Sequence, residues 1–167
     1  MHNIHIILTG GTIEKSYDPL TEKPEFRSQS IIPDYLKDVI KAYPYLTYET
    51  VSQIDSVHMN DDVRADIAKV IEQTSIKRII IVHGTSTMEH TARYLEQNLE
   101  SSDKTIILTG AMIPLKEFAM SDGGFNLGYA IAQAQTTESG IYLTMNARLF
   151  EAGNVAKNTG IGRFEEQ

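Results

Sequence analysis

Short apolar runs that alternate with amphipathic stretches constrain this 167-residue chain more than any other feature of its sequence. Residues 4–9 (IHIILT), 78–83 (RIIIVH), 104–109 (KTIILT) and Gly140–Met145 (GIYLTM) each hold four or five consecutive apolar or β-branched residues. Parallel strands covered on both faces read this way. Leu46–Ile54 is a weaker strand candidate. Helical spacing fills the gaps. Pro33 suits a first helical turn, after which Leu36, Val39, Ile40 and Tyr43 share a face. Asn60 can cap a helix whose apolar side is Val63, Ile67, Val70 and Ile71. Met88, Ala92, Leu95 and Leu99 form a third stripe, and residues 125–134 a fourth. All four stripes read as core. The order β-α-β-α-β-α-β-α-β predicts an α/β fold, an open and mostly parallel sheet with helices on both faces.

Length and composition set the frame around that pattern. A chain of 167 residues, 41% of them apolar, fits a single domain over 1–167 that buries about 70% of its unfolded surface. The same composition argues against disorder. Residues 16–29 have no consistent period and contain Pro19 and Pro24, so a mobile flap loop is expected there. Residues 146–167 carry weak periodicity and should form short strands or a loop. Fifteen Lys and Arg against 22 Asp and Glu leave a net charge of −7, which argues against nucleic acid as a partner. No run of about 20 apolar residues exists to span a membrane. The start, Met1-His2-Asn3-Ile4-His5, lacks the basic head and apolar stretch of a signal peptide. With no cysteine, disulfides, thiolate catalysis and thiolate metal sites are all excluded. A cytoplasmic location is the expectation.

In open α/β sheets, ligands bind beyond the carboxyl ends of the strands. Those ends here are Thr9-Gly10-Gly11-Thr12, His83-Gly84-Thr85-Ser86-Thr87 and Thr109-Gly110-Ala111-Met112, and the pentapeptide IILTG occurs in two of them. Glycine lets backbone N–H groups approach a ligand, and helix starts favour negative charge. Hydroxyls beside free N–H groups suit a carboxylate, a phosphate or a developing oxyanion. The plainer alternative is that these Thr and Ser residues only cap helices. Without cysteine, a covalent nucleophile would have to be Ser or Thr, which needs a base to activate it. Lys157 is a candidate base, since a desolvated lysine gives up its proton readily. Tyr17, in the irregular loop, could serve as an acid–base partner. Rival motifs fail on spacing: GGTIEKS is not a Walker loop, G-x-G-x-x-G is absent, and Gly84-Thr85-Ser86-Thr87-Met88 breaks the hydrolase elbow at its last position. The five histidines form no metal-ligand cluster, and His83 reads as structural.

Six ordered motifs resemble the bacterial-type L-asparaginase family. They are Thr9-Gly10-Gly11-Thr12-Ile13, Asp55-Ser56 with Met59-Asn60-Asp61, His83-Gly84-Thr85-Ser86-Thr87-Met88-Glu89, Thr109-Gly110-Ala111-Met112-Ile113-Pro114, Ser121-Asp122-Gly123-Gly124-Phe125-Asn126-Leu127 and Val155-Ala156-Lys157-Asn158-Thr159. The resemblance covers nearly the whole chain and implies the fold of that family's N-terminal domain. It implies Thr12 as the nucleophile, Tyr17 as its assistant and Thr85–Lys157 as a proton relay. Gly11, Ser56, Gly84, Ser86 and Ala111 would contact the substrate, Ser56 through the α-carboxylate, with backbone N–H groups near Thr85 and Ala111 forming an oxyanion hole. The implied reaction is L-asparagine plus water to L-aspartate plus ammonia, with no metal or cofactor. A homodimer or homotetramer is implied as well.

Two departures stand out. The family signature reads H-G-T-D-T, whereas Ser86 takes the aspartate's place here. That aspartate binds the substrate α-ammonium, and a charge-assisted bond is typically worth about 1.5–3 kcal/mol. Its loss corresponds to roughly ten- to a hundredfold weaker stabilisation unless an acid such as Glu14 or Glu151 compensates. Family members also run to about twice this length, so the chain resembles the short members that lack the C-terminal domain. Its site would then be closed by its own flap or by another subunit. Rival readings are a catalytically silent amino-acid sensor, a Ser86-dependent esterase and a nucleotide-phosphate binder.

Overall fold

A computed structural model describes residues 2–100 and 103–167. Strand β1 (Ile4–Gly10) is buried along its whole length. It is followed by a hairpin of β2 (Lys15–Asp18) and β3 (Lys23–Phe26). A short helix α1 (Ile32–Asp34) continues as a π-turn over Tyr35–Val39 and leads to β4 (Leu46–Ile54). Next come α2 (Asp61–Gln73), β5 (Arg78–Val82), α3 (Met88–Asn98), β6 (Thr105–Thr109), α4 (Gly123–Thr136) and β7 (Gly140–Met145). Three short strands finish the chain: β8 (Arg148–Glu151), β9 (Ala156–Asn158) and β10 (Arg163–Glu165).

The main sheet has the order β4-β1-β5-β6-β7-β8, parallel throughout except for the last pair. Successive residues of the central strands point to opposite layers, as the two-residue period of a strand requires. Ile7, Ile79, Ile81, Ile106 and Leu108 pack with Ile67 and Ile71 of α2 and with Met88, Ala92 and Leu95 of α3. Ile4, Ile6, Leu8, Ile80, Val82 and Ile107 pack with Ile32, Leu36 and the Leu127, Ala130 and Ala134 stripe of α4. Each fully buried side chain of this kind contributes about 1.5–3 kcal/mol. The expected α/β class, with helices on both faces, is what forms.

Local differences have physical causes. Leu46–Ile54 reads weakly because it is the edge strand, paired only with β1 and nowhere fully buried. The helix expected after Pro33 is cut short: Val39, Ile40 and Tyr43 are 68%, 50% and 89% exposed, and only Leu36 of that stripe is core. The π-turn bonds Ile40 N–H to the Tyr35 carbonyl, which breaks the 3.6-residue period that put the four on one face. Phe125 likewise lies on the exposed side of α4. Residues 16–29 are not an irregular loop but largely the β2–β3 hairpin, whose register places Pro24 opposite Tyr17. Proline is tolerated there because the hairpin has only two strands and Pro24 need not donate to a third. The tail forms short strands, as expected.

One consequence matters for function. Leu8 pairs with Val82 and Val82 with Thr109, so β1, β5 and β6 end level with one another. The three loops rich in hydroxyls and glycine therefore leave the same edge of the sheet side by side.

Candidate functional site

Strand β1 ends in two residues that only glycine occupies without strain, Gly10 at φ 102° and Gly11 at φ 80°. The turn is also crowded from the neighbouring strand. A Cβ on Gly11 would lie 2.4 Å from the Cα and N of Gly84. One on Gly84 would lie 2.5 Å from the Ser56 hydroxyl oxygen. The absent side chains thus let the loops after β1 and β5 meet backbone to backbone and let the Ser56 side chain, after β4, close on Gly84. Thr12, half-buried, begins a 3₁₀ turn directly beyond this junction.

Around the junction the hydroxyls bond to groups of the neighbouring loops rather than to helix ends. Ser86 N–H donates to Ser56 Oγ at 3.1 Å, and Thr87 Oγ1 donates to the Ser56 carbonyl at 2.7 Å. Thr87 is the N-cap of α3, yet its side chain makes no cap bond. Lys157 Nζ donates to Thr85 Oγ1 at 2.8 Å across 72 residues of sequence, carried there by the β9–β10 hairpin. Thr85 Oγ1 also lies 3.4 Å from Met112 Sδ. The capping explanation for these Thr and Ser residues therefore fails at α3.

The loop after β6 is held from beneath. Asp122 accepts from the Met112 N–H at 3.0 Å and from the Ile113 N–H at 3.0 Å instead of capping its own helix. Asn126 donates to the Gly110 carbonyl at 3.0 Å and accepts from Asn146 N–H at 3.2 Å, tying the ends of β6 and β7 together. His83 is fully buried, with Nδ1 2.7 Å from the Gly84 carbonyl and Nε2 2.9 Å from Thr91 Oγ1. Burial lowers its pKa to about 4, so it stays neutral and holds Gly84 in place, as the sequence suggested.

Glu14 is the electrostatic exception. It is 1% exposed, and its Oε2 accepts from Gly10 N–H at 2.8 Å. Burial raises its pKa from 4.5 to about 7, against the opposing pull of the nearby Ser30 hydroxyl and the Gly10 N–H. A carboxyl whose folded pKa is raised binds its proton more tightly in the native state. The stability this contributes is complete below about pH 4.5 and is lost as pH rises through about 7. At about 1.4 kcal/mol per pKa unit, the loss is on the order of 3 kcal/mol. Glu14→Gln should flatten this dependence, so thermal denaturation should find the variant more stable than wild type at pH 8 and level with it at pH 4.

Not every expected residue joins the cluster. Tyr17 lies on β2 and is 42% exposed, and its backbone N–H donates to Glu117 Oε2 at 2.9 Å. Ala111 is fully buried in the α4-side core, so only its backbone is available to a ligand. Ser86 is exposed. Of the two acids named as its compensation, Glu14 turns to Gly10, and Glu151 is exposed on β8 opposite Tyr142. Sequence reasoning gave no role to Asp122 and Asn126, although both stand in a quoted motif. It also missed the Lys15–Asp55 pair at 2.6 Å, which ties the hairpin to the end of β4. Their partners are loop backbone or distant in sequence, so no periodicity marks them. Among the described residues, no three His, Asp or Glu side chains gather to hold a metal ion, and no helix is long and apolar enough to cross a membrane.

Comparison with known proteins places these features in context. Residues 3–163 match the family model described as Asparaginase, N-terminal. The chain is 31% identical over 173 residues to the glutaminase-asparaginase of Acinetobacter glutaminasificans, covering 96% of this chain and 51% of that protein. It is 32% identical over 176 residues to L-asparaginase 2 of Escherichia coli K12, covering 98% of this chain and 49% of that one. The crystal structure of L-asparaginase I from Vibrio cholerae superposes with a TM-score of 0.86 at 27% identity, over 99% of this chain and 51% of that chain. The chain thus spans about half the length of the curated relatives it matches.

Proposed function

The chain belongs to the asparaginase family, matched through its N-terminal domain, and on that premise we propose that it hydrolyses the side-chain amide of an amino acid, L-asparagine first, releasing ammonia. The carrying observation is the 2.8 Å hydrogen bond between Lys157 and Thr85 beside the junction of Gly11, Gly84 and Ser56. Thr12 Oγ attacks the carboxamide carbon. The C–N bond then breaks, and ammonia leaves with the proton given up by the hydroxyl. Water, activated at Thr85–Lys157, cleaves the resulting ester and returns the proton to Thr12. Tyr17 assists the first step from the hairpin, which serves as the flap of a single catalytic domain over 1–167. Gly11, Gly84, Ser86 and the Ala111 backbone line the substrate, and Ser56 takes its α-carboxylate. These steps use protein groups and water alone. A homodimer or homotetramer completes the proposed assembly.

A second reading is supported by Ser86. Its N–H is already given to Ser56, and its neutral side chain offers no charge to an α-ammonium group. The same fold could then bind an amino acid without turning it over. Ammonia release from L-asparagine, L-glutamine and D-asparagine, with wild type and Ser86→Asp side by side, separates the two. The amidase reading expects wild-type turnover of one amide and a roughly ten- to a hundredfold gain in kcat/KM for asparagine in the variant. Wild-type silence, with aspartate or asparagine still raising the melting temperature, would replace it by the sensor.

A further inference from the structure

Glu14 is tied to the turn before Thr12 by both of its ends. Its backbone N–H donates to the Gly11 carbonyl at 3.1 Å, and its Oε2 accepts from Gly10 N–H at 2.8 Å. The backbone that carries Thr12 is therefore a small loop clamped by one residue. The other carboxyl oxygen, Oε1, is buried and has no hydrogen-bond partner among the described residues. Nearby, Ser30 and Gln53 line a cavity of about 350 Å³, and Gln53 Nε2 is likewise buried and unpartnered. A glutamine could accept from Gly10 as a neutral, weaker acceptor without the cost of burying an ionisable group. A carboxyl kept in such a place points to a use for its charge.

We propose that Glu14 is a positioning residue: its carboxylate grips the Gly10 N–H and sets the Gly10–Thr12 turn for attack, and a proton taken up by the same carboxyl loosens that grip. The proposal rests on the amide-hydrolysis reading of Thr12. A charge-assisted hydrogen bond is roughly twice as strong as a neutral one, so ionised Glu14 holds the turn harder than protonated Glu14. Its pKa near 7 places the change within the working range of a neutral-pH enzyme. Several charged and titratable groups on the surrounding elements are engaged elsewhere. Lys15 pairs with Asp55, His5 lies near Glu49, Glu117 accepts from Tyr17 N–H, and Asp122 accepts from Met112 and Ile113 N–H. Asp34 and Tyr48 line the cavity under Ser30. None of these charges is a cause of the Glu14 shift, which comes from burial.

The test combines kinetics with NMR on the intact protein. Wild-type kcat for ammonia release should rise roughly fivefold to tenfold between about pH 6 and pH 8, with KM steady within about twofold. Glu14→Gln should stay near the low-pH rate across that window. A variant that shares the wild-type profile and rate overturns the proposal. In wild-type protein labelled with ¹⁵N, the Gly10 amide proton should move downfield with a midpoint near 7. A Gly10 amide that stays unmoved through the Glu14 titration overturns the proposal even if the variant fails to fold. If wild type releases no ammonia from any amide at any pH, the amidase reading falls, and the Gly10 titration alone decides whether Glu14 grips the turn.

Discussion

Replacing Thr12 by alanine should reduce ammonia release by at least roughly a thousandfold while leaving the fold in place. In the proposed reaction, the Thr12 hydroxyl supplies the atom that bonds to the carboxamide carbon. No cysteine exists to take over, and removing a covalent nucleophile is among the most damaging single changes an enzyme can suffer. The cost to stability should be small, within about 1 kcal/mol. Thr12 is half-buried and belongs to neither core cluster. Ammonia assays beside thermal denaturation check both halves. Retained turnover in a folded Thr12→Ala protein would move the nucleophile to Thr85 or Ser86. Lost turnover with undiminished binding of aspartate is the expected outcome.

Gly11→Ala should do the opposite and damage the architecture itself. The residue sits at φ 80° and ψ 174°, a region essentially reserved for glycine, where an L side chain costs about 1–3 kcal/mol. Its new Cβ would meet Gly84 Cα and N at 2.4 Å. These are backbone atoms of a strand end in the middle of the sheet, so no rotamer can swing away. The combined loss should reach at least about 3 kcal/mol, or a fall in melting temperature of roughly 6–12 °C for a chain of this size. Gly128→Ala is the matched control. It lies exposed on α4 with nothing within 4 Å of its added Cβ, and it should be neutral or stabilising by up to about 1 kcal/mol. If the two variants melt alike, close contact between the two turns is not what holds the site together.

Part of the candidate site is legible because it lies at strand ends. Thr12, Thr85 and Ala111 follow apolar runs whose β character is unmistakable, and the parallel order brings those ends level. Asn60 as the cap of α2 was legible for a similar reason, since its side chain acts three residues away, on Val63 N–H at 3.0 Å. Val39, Ile40 and Tyr43 were misread because a π-turn changes the period without changing the residue types. The hairpin within residues 16–29 was missed because Lys15–Asp18 and Lys23–Phe26 carry no apolar alternation. Its strands are held by main-chain pairing and by ties such as Lys15–Asp55, not by a buried face.

The amino-acid sequence by itself determined the α/β class, the five parallel strands of the main sheet and most of the helices, and the three strand-end turns of the candidate site. Those features follow from side-chain period and from glycine's backbone freedom, both of which act over a few residues. Only the tertiary structure decided which hydroxyl meets which partner. Lys157 reaches Thr85 across 72 residues, and Ser86 N–H goes to Ser56 across 30. It also decided that Glu14 would be sealed from water with one oxygen unpartnered, which raises its pKa. Such contacts and dielectric environments arise from how the layers pack and how the strand ends align. Nothing in the local pattern around Lys157 or Glu14 encodes them, because the groups that surround each side chain come from other strands and loops.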